Sequence, residues 1–194
     1  PAPDQDQRVL MHGMSWWQFE TILAARGDNP VPRIAYLEGT VELMSPSRRH
    51  EGKKSVFRML IEAYCFEKGV RFEPMASTTL KNSAVERGAE PDESYAFRAG
   101  AEVPDLAIEV VYTSGGLNKR AIYRGLGVRE LWFWMHDHLE AYALEEGDYV
   151  RIEESRVLPG IPLPLIEALA RTDDAYDAVQ TFRAQLRNDT APSD

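Results

Sequence analysis

Glu109 is the residue whose position asks most of the fold. It stands inside Leu106–Val111, where Leu106, Ile108 and Val110 alternate with Ala107 and Val111, so a strand here is apolar on both faces apart from one acid. Taking an isolated carboxylate out of water costs on the order of several kcal/mol unless it is paired, protonated or bound to a cation. Asp92, in Glu90-Pro91-Asp92, opens a second expected strand just upstream. Two carboxylates from adjoining strands make a hard-oxygen site suited to Mg²⁺. Lys119 falls on the helix expected after Gly115-Gly116, where an ammonium can neutralise developing negative charge or orient an attacking water. Each residue has an ordinary reading: an acid after proline in a turn, a strand glutamate in a structural ion pair, a solvated helix lysine. The value lies in the order Asp, Glu, Lys across strand, strand and helix, which would set a divalent ion beside a cation able to act on an attacking water.

Two further groups carry chemical potential. Arg48, Arg49, Lys53, Lys54 and Arg58 form the densest basic cluster of the chain, read either as a solvated helix face or as a phosphate-contacting edge. His136 and His138 have a metal-like spacing but flank an expected turn, which argues against a shared ion. Trp132, Phe133 and Trp134 are contiguous in an apolar run and read as sheet core rather than base-stacking groups.

The surrounding composition constrains these readings. With 194 residues, 44% apolar and 27% charged, the chain can bury a sizeable core. Its 22 basic and 31 acidic residues leave −9, so a nucleic-acid substrate must meet a local basic patch. The lone Cys65 makes no internal disulfide, and no run approaches the ~18 to ~20 apolar residues of a membrane span, so a reduced cytoplasm with no membrane contact is expected.

The elements that must position the candidates follow from periodicity and punctuation. Residues 1–8 and 188–194 read as polar tails around one domain over 9–187. Ser15 caps a helix that stops near Gly27, and Glu38-Gly39 between two β-prone runs predicts a hairpin. A long core helix ends at Gly69, β-prone residues run from Val70 to Leu80, and a strand is expected near Asp92 to Phe97. Val103 to Val111, a short helix to Leu126 and Glu130–Met135 make a strand, helix, strand unit. A meander through Ile152 and two C-terminal helices complete the chain, and aromatic-rich strands such as Leu139 to Leu144 suggest a homodimer.

The segment Tyr36-Leu37-Glu38-Gly39-Thr40-Val41-Glu42-Leu43-Met44-Ser45-Pro46, with His50, Pro91-Asp92, Pro104-Asp105, Glu109-Val110-Val111, Lys119 with Tyr123, and Gly127-Val128-Arg129-Glu130-Leu131-Trp132, resembles the Uma-type endonucleases of the PD-(D/E)XK restriction-endonuclease-like superfamily. The likeness spans roughly residues 10 to 187. It implies a mixed α/β fold, with a central sheet flanked by helices and preceded by an N-terminal helix and hairpin. It further implies a Mg²⁺-dependent hydrolase of DNA phosphodiesters, with Mn²⁺ as substitute. Asp92 and Glu109 are then the metal ligands, with the Val111 carbonyl completing the set, and Lys119 is the catalytic lysine. Glu38 and His50 become accessory candidates, and Arg48, Arg49, Lys53 and Lys54 nucleic-acid contacts. The chain departs from the superfamily pattern at Val111, where a lysine usually stands two residues after the acid, so Lys119 has to reach in from the helix. That departure, with the acidic balance, keeps a non-catalytic binding or assembly module as the alternative.

Overall fold

The computed structural model describes residues 5–76, 78–172 and 174–188. Ser15 closes a capping box with Gln18 at the start of α1 (Trp16–Arg26), and Gly27 ends it. Glu38 and Gly39, both at positive φ, form the two-residue turn between β2 (Arg33–Leu37) and β3 (Thr40–Ser45). Ahead of α1, β1 (Gln7–His12) pairs antiparallel with the whole of β3. The polar tail expected over residues 1–8 is therefore strand from Gln7 onward; an edge strand with one wet face carries too few apolar residues to announce itself. The first eleven residues of α2 (Arg48–Lys68) carry the whole of the expected basic cluster, and Gly69 caps its end in the left-handed conformation.

Among the described residues, the β-prone stretch from Val70 to Leu80 yields β4 (Glu73–Pro74) and the start of β5 (Leu80–Asn82), which joins a different sheet as one arm of a hairpin with β6 (Arg87–Ala89). A proline lacks the N–H that would extend the ladder. Then come β7 (Glu93–Ala96), β8 (Leu106–Val111), α3 (Lys119–Leu126), β9 (Glu130–Met135), β10 (His138–Glu145) and β11 (Asp148–Ile152), closed by α4 (Leu163–Ala170) and α5 (Ala175–Asn188). Strand β8 starts at Leu106 rather than Val103, because the buried Asp105 just before it accepts from Phe97 N, Arg98 and Arg129. Asn188 belongs to α5, and residues 189–194 of the expected C-terminal tail lie outside the described residues.

The fold is mixed α/β, but with two sheets where one was expected. The first runs β1-β3-β2-β6-β5 and is antiparallel; the second runs β11-β10-β9-β8-β7-β4, with β8 and β9 as its parallel pair. Helices α2, α4 and α5 cover one face of the second sheet, burying Phe57, Leu60, Ile108, Trp132 and Trp134. Its other face packs Ala107, Leu131 and Phe133 against α3 and the first sheet. Helix α1 covers the far side of that sheet through Phe19, Ile34 and Tyr36. Glu109 thus points away from the α2 layer, into the seam between the sheets.

Helix α1 can lie this close because β6 carries Gly88, where a methyl group would sit 2.5 Å from Phe19 Cζ. Gly88→Ala should destabilise the protein by about 1–3 kcal/mol through overpacking, read as a lowered urea midpoint with an unchanged slope.

Candidate functional site

The antiparallel register of β7 on β8 pairs Glu93 with Ile108. Just ahead of this ladder Asp92 N donates to Ile108 O at 3.1 Å, which sets Asp92 beside Ile108, the chain neighbour of Glu109. Asp92 is 1% exposed and Glu109 4%. Asp92 stands just before β7, and its Oδ2 accepts from Val110 N at 2.7 Å, so the carboxylate does the work of a strand carbonyl. Its Oδ1 takes Arg33, from the first position of β2, and His50 Nε2 at 2.8 Å, from the first turn of α2. His50 Nδ1 in turn lies 2.9 Å from Asp6 Oδ2, and Arg33 also reaches Glu51 Oε1 at 3.1 Å. One buried carboxylate thereby gathers both sheets, α2 and the segment ahead of β1.

Glu109 is compensated from α3. Lys119 Nζ lies 3.2 Å from its Oε1, and the Tyr123 hydroxyl, one turn further on the same helix face, donates to that oxygen. Burial and the neighbouring Glu109 push the Tyr123 phenol well above its ordinary range, so it stays a donor. Asn118 caps α3 by accepting from Ala121 N. The connection from β8 to α3 is clamped from the first sheet. The buried Glu42 accepts from Leu117 N at 2.9 Å and lies 3.3 Å from Arg8 Nε, while Arg8 donates to the carbonyls of Thr113 and Ser114. Gly116 leaves room for this clamp, since a Cβ would sit 2.6 Å from Glu42 Oε2 and 3.0 Å from Arg8 Cζ and push both side-chain ends aside.

Beside Glu109 and Lys119 a cleft of about 250 Å³ opens between this connection and strands β9 and β10, with Val111 in its wall. Among the described residues no group of three or more His, Cys, Asp and Glu forms a metal cage. Asp92 and Glu109 instead offer a two-carboxylate donor set, in which Glu109 takes both its hydrogen bonds on Oε1 and Asp92 Oδ2 accepts one. That set fits Mg²⁺, which is commonly held by one or two carboxylates with water and substrate phosphate as its other ligands.

The remaining candidates separate. His50 is at the centre, through Asp92. Glu38 sits at the opposite end of β2 from Arg33, 68% exposed and bonded to Arg87 at 2.6 Å; it is a turn residue remote from the two acids. Arg48 and Arg49 are exposed at the start of α2, with the Arg49 guanidinium 4.4 Å from the Tyr112 ring centre. Lys54 is paired with Glu51 at 2.5 Å. Lys53 is no phosphate contact: 4% exposed, it donates to the carbonyls of Ala170 and Thr172 and joins α2 to the end of α4. His136 and Asp137 form the β9–β10 turn at positive φ, and His138 faces Glu167 at 3.5 Å, so the histidine pair holds no common position. Asp6, Arg8, Arg33 and Glu42 were missed. Glu42 carried the same signal as Glu109, an acid inside an apolar strand; Asp6 and Arg8, in a polar terminus, carried none.

A family model described as "Putative restriction endonuclease", Uma2, matches residues 16–188. The chain belongs to this family. No curated protein matches it. Among solved structures it is similar to a "putative nuclease belonging to DUF820" from Anabaena variabilis ATCC 29413, at 14% identity and TM-score 0.48 over 80% of this chain and 92% of that one. The family match begins inside the cap of α1, so Asp6 and Arg8, which brace the site of this family member from outside, precede it.

Two predictions follow from these contacts. Burial works to raise the Asp6 carboxyl, but its bonds to His50 and to Ser47 N outweigh it and bring the pKa from 3.8 down to about 2. A depressed folded-state pKa contributes stability above the unfolded value that is lost as pH falls, here about 2 kcal/mol disappearing between roughly pH 4 and pH 2. Asp6→Asn should lose that stability at neutral pH and flatten this acid limb in urea titrations. Lys53→Ala should lower stability by about 1–3 kcal/mol, the scale of charge-assisted bonds to buried carbonyls, without altering the salt dependence of any DNA binding.

Proposed function

We propose that this member of the Uma2 family is a Mg²⁺-dependent endonuclease that hydrolyses DNA phosphodiester bonds. The observation that carries the reading is that buried Asp92 bonds Ile108 O and Val110 N on either side of Glu109, with the Lys119 ammonium 3.2 Å from Glu109 at the edge of a cleft. In this reading Asp92, Glu109 and the Val111 carbonyl hold the ion, and Mn²⁺ substitutes for it. The bound ion supplies polarisation of the phosphate and a water of lowered pKa. Lys119 places a cation where charge accumulates on the phosphate oxygens. Tyr123 fixes the Glu109 rotamer, and His50 and Arg33 fix that of Asp92. Arg48 and Arg49 are the exposed cations available to a DNA backbone.

A non-catalytic binding module is favoured by one observation: Arg33 and His50 already balance Asp92 without any metal. Mutagenesis separates the two. Glu109→Gln keeps the shape of the site and should abolish Mg²⁺-dependent plasmid nicking and weaken Mn²⁺ binding in calorimetry. Lys119→Ala should slow nicking by about two orders of magnitude, as loss of one preorganised electrostatic group does, with Mn²⁺ binding retained. Asp92→Asn is less clean, because it strands Arg33 and His50 and should cost about 3–5 kcal/mol of stability. Absence of Mn²⁺ binding, or equal nicking by wild type and Glu109→Gln, would leave the module reading standing.

A further inference from the structure

We infer, building on the nuclease reading, that the cleft beside Glu109 and Lys119 is a nucleobase subsite and that the substrate is an unpaired DNA strand. Both acids are recessed, and of the basic cluster only Arg48 and Arg49 stay exposed: Lys53 is buried, Lys54 is held by Glu51 and Arg58 by Glu93. A duplex binds mainly through many phosphate contacts along its convex surface, and this surface supplies few. The cleft itself, at about 250 Å³, lies just under the usual range of about 300–1,000 Å³ for small-molecule sites, which suits one base and not a base pair.

Its chemistry is that of a stacking site. Val111, Phe133 and Met135 give an apolar wall, and Tyr142 stands in it with its ring fixed from three sides. The Arg120 guanidinium lies 5.1 Å from the ring centre, Phe133 meets it edge-on at 6.1 Å, and its hydroxyl donates to Glu140 Oε2 at 2.7 Å. Single-strand binders use such aromatic platforms beside cations that take the backbone. Arg120 and Lys119, neighbours on α3 in the same wall, are those cations. Glu140 serves that platform: its Oε2 takes the Tyr142 hydroxyl and its Oε1 lies 3.7 Å from Arg151, which holds the ring in place. Position 111, apolar where the superfamily pattern has a lysine, is thereby part of the base wall.

The test has two arms. With Mg²⁺, an end-labelled single strand should be cut at least about tenfold faster than the same strand in a blunt duplex, the scale of one base–aromatic stack. Equal cutting of strand and duplex overturns the inference while leaving the nuclease reading intact. In the second arm, Glu109→Gln protein without metal is titrated into short single strands carrying 2-aminopurine, whose fluorescence rises when it leaves its neighbours' stack. Binding should give a rise that Tyr142→Ala in the same background weakens about tenfold and Tyr142→Phe, which keeps the ring, retains. If no DNA is cut, the nuclease reading fails and this arm decides alone. A Tyr142-dependent rise supports the subsite; no rise, or equal behaviour of the two Tyr142 variants, overturns it.

Discussion

The buried carboxylate of Asp92 is the point on which this structure depends. An ion at 1% exposure survives only with its hydrogen-bonding capacity filled, and each bond that fills it comes from a different part of the chain: Val110 N from β8, Arg33 from β2, His50 from α2. The requirement works in both directions. The acid needs these partners, and Arg33 and His50, themselves buried, need the acid. The docking of the first sheet against the second is therefore fixed by charge and hydrogen bonding at one end and by the apolar cluster around Ala35, Ala107 and Leu131 at the other.

Glu109 shows a different solution to the same cost. Its partners both come from α3, from side chains one helical turn apart, so its environment is local to the β8–α3–β9 crossover. Two neighbouring acids are thus balanced by independent means, one by long-range assembly and the other by a short crossover. The connection ahead of Lys119 is held by Glu42 and Arg8 over a glycine that leaves room for them.

What could be read in the sequence was whatever a local pattern dictates. Glu38-Gly39 gave its hairpin, Ser15 and Gly69 gave helix ends, and the apolar runs of β8 and β9 gave the strand, helix, strand unit that pairs in parallel. The acid out of place at Glu109 was visible for the same reason, and it does lie buried beside Lys119. Partnerships across the fold were not legible. Nothing near Asp6 announces that it meets His50, and nothing in Lys53 distinguishes a solvated lysine from one whose ammonium turns inward to the end of α4. The extent of the first sheet beyond its β2–β3 hairpin escaped notice because β1, β5 and β6 are short or half wet, and their identity comes from pairing rather than from composition.

The antiparallel seam between β1 and β3 bears on where the chain can be shortened. β1 is bonded on one side only, and it shields the full length of β3. A polypeptide cut back to the span shared with its family would strip that cover and turn β3 into a bare rim, with a row of amide and carbonyl groups free to pair with the next molecule. It would discard Asp6 and Arg8 in the same cut. Self-association and the loss of the clamp on the β8–α3 connection would then arrive together, although neither acid of the site had been touched.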